Sequence, residues 1–369
     1  MSLRREIIYG HEALQAIEPA VRDLYARATR PNPYQCPGWV YAWLETLGET
    51  EEPLAILLWE GDQLKTFWPF FECYGLGGKG LWPLGAHCAD LFDPLVEDPS
   101  LPLPKELSDG LESLLGAYRF IWLPLMSKSL ATVEFSEAFK ARKLRRLIRP
   151  RTENQKIYIP ENRDFEAFYK AHVGTKSRQT LRRKWRRLEE QGELSYGVIT
   201  GEEAVRDFLI IMIAIERKSW KGQQKLGIFS RKDIKEFYKV AIPKMAADGD
   251  LRIDTLSIGE RVIAYEFSLI SDGCRCVHNL AYLPEFRDWS PGTQLMLHTL
   301  EWAFNNGIEI VDFMQGKHDY KLRFATESTY FYDVNLFAKG IKGWLNYAAV
   351  KLIASRVKNS YNAGEEGED

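Results

Sequence analysis

The chain has 369 residues, which at roughly 100–200 residues per domain predicts two domains. Hydrophobic residues at 45% and aromatics at 13% exclude an intrinsically disordered protein. Forty-nine basic residues against 51 acidic ones leave a formal net charge of -2, so no global field drives the chain onto nucleic acid or an anionic membrane.

The first half opens with a predicted helix near residues 11–28 and a second from about Pro37 to Leu47. Strands follow at Leu54–Trp59 and Leu64–Phe71, joined at Glu60-Gly61-Asp62, where glycine tolerates the positive φ of a tight turn. A Gly- and Pro-rich stretch reads as loop with short strands. Helix returns near 104–117, and Tyr118–Leu123 is expected to be a strand. Residues 140–151 carry seven basic residues and no acidic one, which reads as a solvated helix end or connector at a domain boundary, with an anion-binding surface as the sharper alternative.

In the second half, a helix near 163–172 precedes a strongly basic one. There Leu181, Trp185 and Leu188 recur at helical spacing, and Gly192 supplies the stop. Helices are expected over about 201–220 and 231–248. A three-stranded meander follows at Leu251–Leu256, Val262–Ile270 and Cys274–Tyr282, turning at Gly259-Glu260 and Asp272-Gly273. Then come a helix over 291–306, a strand at Ile308–Phe313 and a further strand or pair within Thr329–Phe337. Helices, antiparallel strands, one helix and more strands point to a mixed α/β sheet rather than alternating βαβ units. The hairpins at Trp59–Leu64 and Ser257–Val262 echo one another faintly across the halves.

The tail from Gly340 forms an amphipathic helix with Ile341, Trp344, Leu345, Ala348 and Leu352 along one stripe, expected to dock onto the body. The sharper alternative is a helix lying on a membrane surface, helped by Lys342, Lys351 and Lys358. The final residues, NAGEEGED, are expected to be disordered. The longest apolar run, Phe208 to Ile215, is eight residues, whereas a membrane span needs roughly 20. With no signal-peptide core at the start, the protein reads as soluble and cytoplasmic. Five cysteines without a CxxC pair argue against disulfides and structural zinc, and no metal is expected. Cys274 and Cys276 share one strand face and read as structural.

The segment Tyr282 to Thr293 leaves a strand and enters a helix. Ser290 is the expected N-cap and Pro291 the first helical residue. The amides of Gly292, Thr293 and Gln294 then lack intrahelical partners and make an anion site that Gly292 lets a phosphate approach closely. Arg287 stands just upstream, within reach of the same anion.

These residues resemble the GNAT superfamily of acyl-CoA-dependent N-acyltransferases, in which an R/Q-x-x-G-x-G/A loop holds the coenzyme A pyrophosphate. Here Arg287-x-x-Ser290-x-Gly292 matches except that Ser290 replaces the first glycine. The chain is more closely similar to a tandem-domain branch that includes cellulose-biosynthesis acetyltransferase-like (CelD/BcsL-like) proteins and Fem-type peptidyltransferases. The matching motifs are Ser177-Arg178 with Arg182-Arg183, Trp220, Ser290-Pro291-Gly292, and Asp312-Phe313-x-x-Gly316-x-x-x-Tyr320-Lys321. Asn32-Pro33-Tyr34, Trp39, Ala89-Asp90 and Asp93-Pro94-Leu95 extend the resemblance into the first half.

The resemblance implies an α+β fold of two GNAT-like domains, each a mixed, mostly antiparallel twisted sheet flanked by helices. A degenerate domain would occupy 1–152, an acyltransferase domain with the coenzyme loop 153–340, and a helix with an acidic tail 341–369. It implies acetyl-CoA or another acyl-CoA as co-substrate, held by Arg287, Ser290, Gly292 and Thr293, and an N-acyltransferase acting on a sugar or other small amine, in polysaccharide or cell-envelope biosynthesis. Tyr320 is then the candidate general acid, and Lys321 and Asp312 contact substrate. For the base, His278 and Glu266 rank equally; His278 has the suitable unperturbed pKa of ~6.5, and it also fits a satisfied core position. Asp312 is a third candidate base that also fits a role capping the following loop. The alternatives are a Fem-like transferase fed by aminoacyl-tRNA, drawing on the basic helix 176–187, and a non-catalytic scaffold. DNA is not expected as a partner, and tRNA only under the second reading.

Overall fold

The computed structural model describes residues 3–75, 78–316 and 318–365, without the side chains of Asp319 and residues 353–365. The first half runs β1 (Arg4–Tyr9), α1 (His11–Ala16), α2 (Glu18–Arg27), α3 (Pro37–Glu45), β2 (Pro53–Glu60), β3 (Gln63–Gly75), β4 (Gly78–Pro83), β5 (Leu95–Val96), α4 (Lys105–Leu114), β6 (Phe120–Met126), α5 (Phe135–Ala141) and β7 (Arg145–Tyr158). The second runs α6 (Phe165–His172), α7 (Thr175–Glu189), β8 (Leu194–Ile199), α8 (Glu202–Lys218), α9 (Trp220–Gln223), α10 (Lys232–Asp248), β9 (Leu251–Ile258), β10 (Arg261–Ser271), β11 (Cys274–Tyr282), α11 (Pro291–Asn305), β12 (Ile310–Gln315), α12 (Asp319–Phe324), β13 (Glu327–Phe337) and α13 (Gly340–Glu365).

All the strands join one mixed, mostly antiparallel sheet in the order β1-β2-β3-β4-β6-β13-β7-β12-β11-β10-β9-β8, with β5 beside β3. Its parallel pairs are β4 with β6 and β11 with β12. Each half therefore repeats one pattern: an edge strand, a three-stranded meander and a parallel fifth strand. The two echoing hairpins, β2–β3 and β9–β10, hold equivalent places in it.

The last strands are exchanged. β7 follows β6 in sequence yet pairs with β12, while β13 follows β12 yet pairs with β6, and β7 and β13 pair with each other along their lengths. The expected boundary at 152/153 lies inside β7. Helices also interlock across the halves. α3 lies so close to α10 that a Cβ on Gly38 would stand 2.9 Å from the Met245 amide nitrogen.

Several expectations are corrected. Residues 145–151, expected as a helix end or connector, open β7, whose Arg149 and Arg151 face Asp333 of β13 at 3.9 and 3.4 Å. β1 and β8 were not anticipated. Ser290 stands at the N-cap position but in left-handed backbone (φ 55°), and its side chain does not cap the helix. Trp220 opens α9 rather than closing the preceding helix.

The C-terminal helix continues to Glu365, so the first half of the tail expected to be disordered is helical, and 366–369 lie outside the described residues. Its apolar stripe faces away from the body. Ile341, Trp344 and Leu345 are 75%, 50% and 55% exposed, while Gly343 and Asn346 face the sheet.

Candidate active site

β11 and β12 pair only from Cys274–Ile310 to Cys276–Asp312 and then splay. The splay opens because β11 continues to Tyr282 while β12 ends in a turn at Met314 (φ 54°) and Gly316 (φ 102°). Into it opens a cleft of about 670 Å³.

One end of the cleft is largely apolar, walled by Leu280, Tyr282, Met296, Phe313 and the first turn of α11 at Gly292 and Thr293. Gly292 is needed for packing, since a Cβ there would lie 2.9 Å from Leu280 Cδ2 and 3.1 Å from Tyr282 Cδ1. The first intrahelical bond runs from the Gln294 amide to the Ser290 carbonyl at 3.1 Å. The amides of Gly292 and Thr293 precede that bond, at the positive end of the helix dipole. A helix start with unpaired amides favours an anionic group.

The other end is a polar chamber between the halves. His87, Cys88 and Asp90 come from the loop after β4; Lys221, Lys225, Arg231 and Tyr238 come from α9, α10 and the segment joining them; His278, Gln315 and Lys321 close it. His278 is fully engaged. Its Nδ1 lies 3.0 Å from the Tyr34 hydroxyl and 3.4 Å from Asp90 Oδ2, and its Nε2 lies 2.6 Å from the Tyr238 hydroxyl. Asp90 also accepts hydrogen bonds from the Tyr34 hydroxyl at 3.2 Å and from Gln315 Nε2. Burial raises the pKa of Tyr34 and Tyr238 well above the usual phenol value, with the Asp90 charge adding to it.

Two lysines enter this chamber. Lys321 Nζ donates to the carbonyls of Phe313 at 2.8 Å and Gln315 at 2.7 Å. Burial pulls its pKa down to about 8, partly opposed by Asp90. Lys221 Nζ donates to Asn279 Oδ1 at 2.7 Å, and burial lowers its pKa too, against the charge of Glu216. Tyr320 is 38% exposed beside the chamber, and its pKa is raised by burial and by the Glu266 charge.

Of the residues singled out from the sequence, Gly292, Thr293, His278, Tyr320 and Lys321 line one cleft, whereas Arg287, Ser290, Glu266 and Asp312 do not. Arg287 extends into solvent 3.6 Å from Asp288. Ser290 Oγ accepts a hydrogen bond from Lys184 at 2.8 Å. Glu266 is fully buried against the equally buried Arg275 at 2.5 Å, with Thr299 and Ser268 completing its bonds. Burial raises its pKa while Arg275 lowers it. Asp312 accepts from Asn154 at 2.6 Å, the Met314 amide at 2.8 Å and Lys156 at 3.0 Å, so it holds the irregularity near the end of β12.

Sequence reasoning did not pick out Asp90, Lys221, Tyr238 and Gln315 as site residues. Asp90 carried a signal in its Ala89-Asp90 motif, but nothing local places it opposite His278, 188 positions onward. Among the described residues no cluster of His, Cys, Asp and Glu could hold a metal ion.

Residues 175–322 match the acetyltransferase (GNAT) domain family. No curated protein matches the chain by sequence. Among solved structures, FemX is similar over 89% of this chain and 96% of its own, at 12% identity and a TM-score of 0.59. A tandem GNAT protein from the clavulanic acid biosynthesis pathway is similar over 92% of this chain and 100% of its own (10% identity, TM-score 0.50). L-PGS from Bacillus licheniformis is similar over 89% and 98% (14% identity, TM-score 0.50). Residues 175–322 thus carry the match to an acetyltransferase (GNAT) domain, and the fold of the chain is like that of FemX and of a tandem GNAT protein.

Proposed function

We propose that the protein transfers an acyl group, acetyl foremost, from acyl-CoA to the amine of an amino sugar or similar small molecule, in cell-envelope polysaccharide synthesis. The observation that carries this reading is the two-ended cleft. Apolar residues beside the free amides of α11 and polar groups around Asp90 line one cleft, and Phe313 connects them, with the Tyr320 ring 6.2 Å from its ring and Lys321 bonded to its carbonyl and to that of Gln315. A donor thioester lying along the apolar residues presents its carbonyl to an amine in the chamber. Asp90 is the nearest carboxylate on the chamber wall and takes the amine's proton as the C–N bond forms. Tyr320 keeps its proton at neutral pH and delivers it to sulfur as the C–S bond breaks. Lys321 and the adjoining polar groups stabilise the oxyanion between these steps. His278 fixes Tyr34, Tyr238 and Asp90; as a base it would have to act through one of the tyrosine hydroxyls.

Thermal unfolding with coenzyme A, acetyl-CoA and longer acyl-CoAs tests the donor. Binding to the native state alone is worth about 2.7 kcal/mol at a hundred times Kd, so the midpoint rises measurably. Thr293→Glu places a carboxylate at the helix start and abolishes the rise. No rise with any acyl-CoA overturns the reading.

A second reading, transfer from an aminoacyl-tRNA, has one observation in its favour. Arg182 and Arg186 of α7 flank a shallow groove in which the rings of Trp185, Tyr196 and His298 stack, Tyr196 and His298 at 3.7 Å between centroids. Steeply salt-dependent tRNA binding would favour it.

A further inference from the structure

We propose that α13 seats the protein on an anionic lipid surface. The helix is mounted inside out. Its polar Asn346 is 9% exposed and faces a strand that carries the buried Asn335 and Asp333, and its Tyr347 ring packs 5.6 Å from that of Phe337. Ile341, Trp344 and Leu345 point to solvent at 75%, 50% and 55% exposure. A helix whose only task was docking would bury the opposite face.

The outward face has the layout of an interfacial helix. At about 100° per residue, positions 341, 344, 345 and 348 fall within one narrow stripe. Lys342 and Lys351, both exposed, lie on either side of the stripe, where their stems can cover apolar surface while the ammonium groups reach headgroups. A tryptophan at such a boundary presents an apolar ring with a polar edge.

Charge on the neighbouring strand matches. Arg145 of β7 donates to the Gly340 carbonyl at 3.2 Å, which sets the start of the basic run 140–151 beside the start of α13, although Arg142, Arg149 and Arg151 of that run are paired with carboxylates. Basic residues near an anionic leaflet add to the apolar contribution, and neither is sufficient alone. A second copy of the chain is the poorer occupant, because three side chains fall far short of the ~800 Å² per partner that a stable dimer buries. Among the described residues no helix is long and apolar enough to cross a membrane, so α13 lies along the surface.

Co-sedimentation of the full chain with vesicles tests this. One set is phosphatidylcholine alone, the other an equimolar mixture with phosphatidylglycerol. The wild type should pellet with the mixed vesicles, weakly with the neutral ones, and less as salt rises. The triple variant Ile341→Ser, Trp344→Ser, Leu345→Ser should lose at least tenfold in vesicle affinity, and Lys342→Glu with Lys351→Glu should lose preference for the anionic set. All five residues are exposed, so unchanged thermal unfolding confirms that the variants fold. Equal sedimentation of wild type and triple variant, or none by the wild type, overturns the proposal. So does a concentration-dependent dimer in analytical ultracentrifugation that the triple variant abolishes while vesicles leave the protein in solution.

Discussion

Lys321 couples the chemistry of the cleft to the stability of the fold in a measurable way. Its side chain is almost fully enclosed, and its ammonium is held by two carbonyls rather than by a carboxylate. Burial brings the pKa down to about 8, against ~10.4 for an unfolded lysine. Below the lower value both states carry the proton, and the folded state bears the full cost of burying charge. Between the two values the unfolded chain binds more protons than the folded one, so stability rises with pH. The total difference is about 3 kcal/mol, relieved between pH ~8 and ~10.4. Lys321→Met abolishes the titration. Its stability relative to wild type at neutral pH also reflects the two carbonyls it leaves without a donor, but that contribution does not vary with pH. Groups away from the chamber titrate alike in both proteins, so the difference between their urea unfolding curves reports Lys321 together with its charge coupling to Lys221. From roughly pH 7 to 9.5 the wild type should gain about 2 kcal/mol on the variant. A difference that stays flat across that range, or that moves the other way, refutes the assignment of a buried, easily neutralised amine.

The buried ion pair makes a different prediction. Glu266→Ala leaves Arg275 with Asp254 at 3.0 Å as its remaining carboxylate, so it should cost less in urea unfolding than the about 3–5 kcal/mol of a wholly unpaired buried charge, and Glu266→Gln, which retains the Thr299 and Ser268 contacts, should cost less again. Each should leave the coenzyme-induced rise in Tm intact, and Glu266→Gln should keep kcat, which a role for Glu266 as general base would not allow. Tyr320→Phe and Asp90→Asn should each lower kcat by about 10²-fold or more with that rise unchanged. A variant that instead keeps kcat and loses the coenzyme effect would move its residue from proton transfer to donor binding.

What could be read from the sequence was local. The hairpin turns at Gly61, Gly259 and Gly273 all have positive φ, and such turns are written in two or three residues. The strand-to-helix passage at Pro291 and the convergence of Thr293, Tyr320 and Lys321 were legible because the motifs lie on consecutive elements around one splay. β7 was not, because its arginines resemble a helix end until Asp333 is brought beside them from 182–184 positions away. Glu266 looked like a site residue because a carboxylate between Tyr265 and Phe267 needs a partner. That partner, Arg275, enters only through the β10–β11 hairpin. The capping role of Ser290 failed for a geometric reason, since the left-handed backbone places its hydroxyl against Lys184 instead.

The exchange of β7 and β13 bears on whether the second half can stand alone. A fragment beginning at residue 153 keeps the matched GNAT domain, yet it removes β6 and the first eight residues of β7. Both neighbours of β13 are lost from Tyr332 to Phe337, and Phe331 loses its β7 partner Thr152. An unpaired strand carrying Phe331, Val334, Leu336 and Phe337, all buried in the intact chain, is an aggregation template. The same cut removes Tyr34 and Asp90, leaving His278 with Tyr238 alone of its three polar neighbours. Expressed by itself, residues 153–369 should be insoluble or unfold without a cooperative transition. Co-expression with residues 1–152 should restore a soluble complex that binds acyl-CoA. A fragment that unfolds cooperatively and shows the full coenzyme-induced rise in Tm would mean that strand exchange is dispensable. The first half would then serve only as a wall of the chamber.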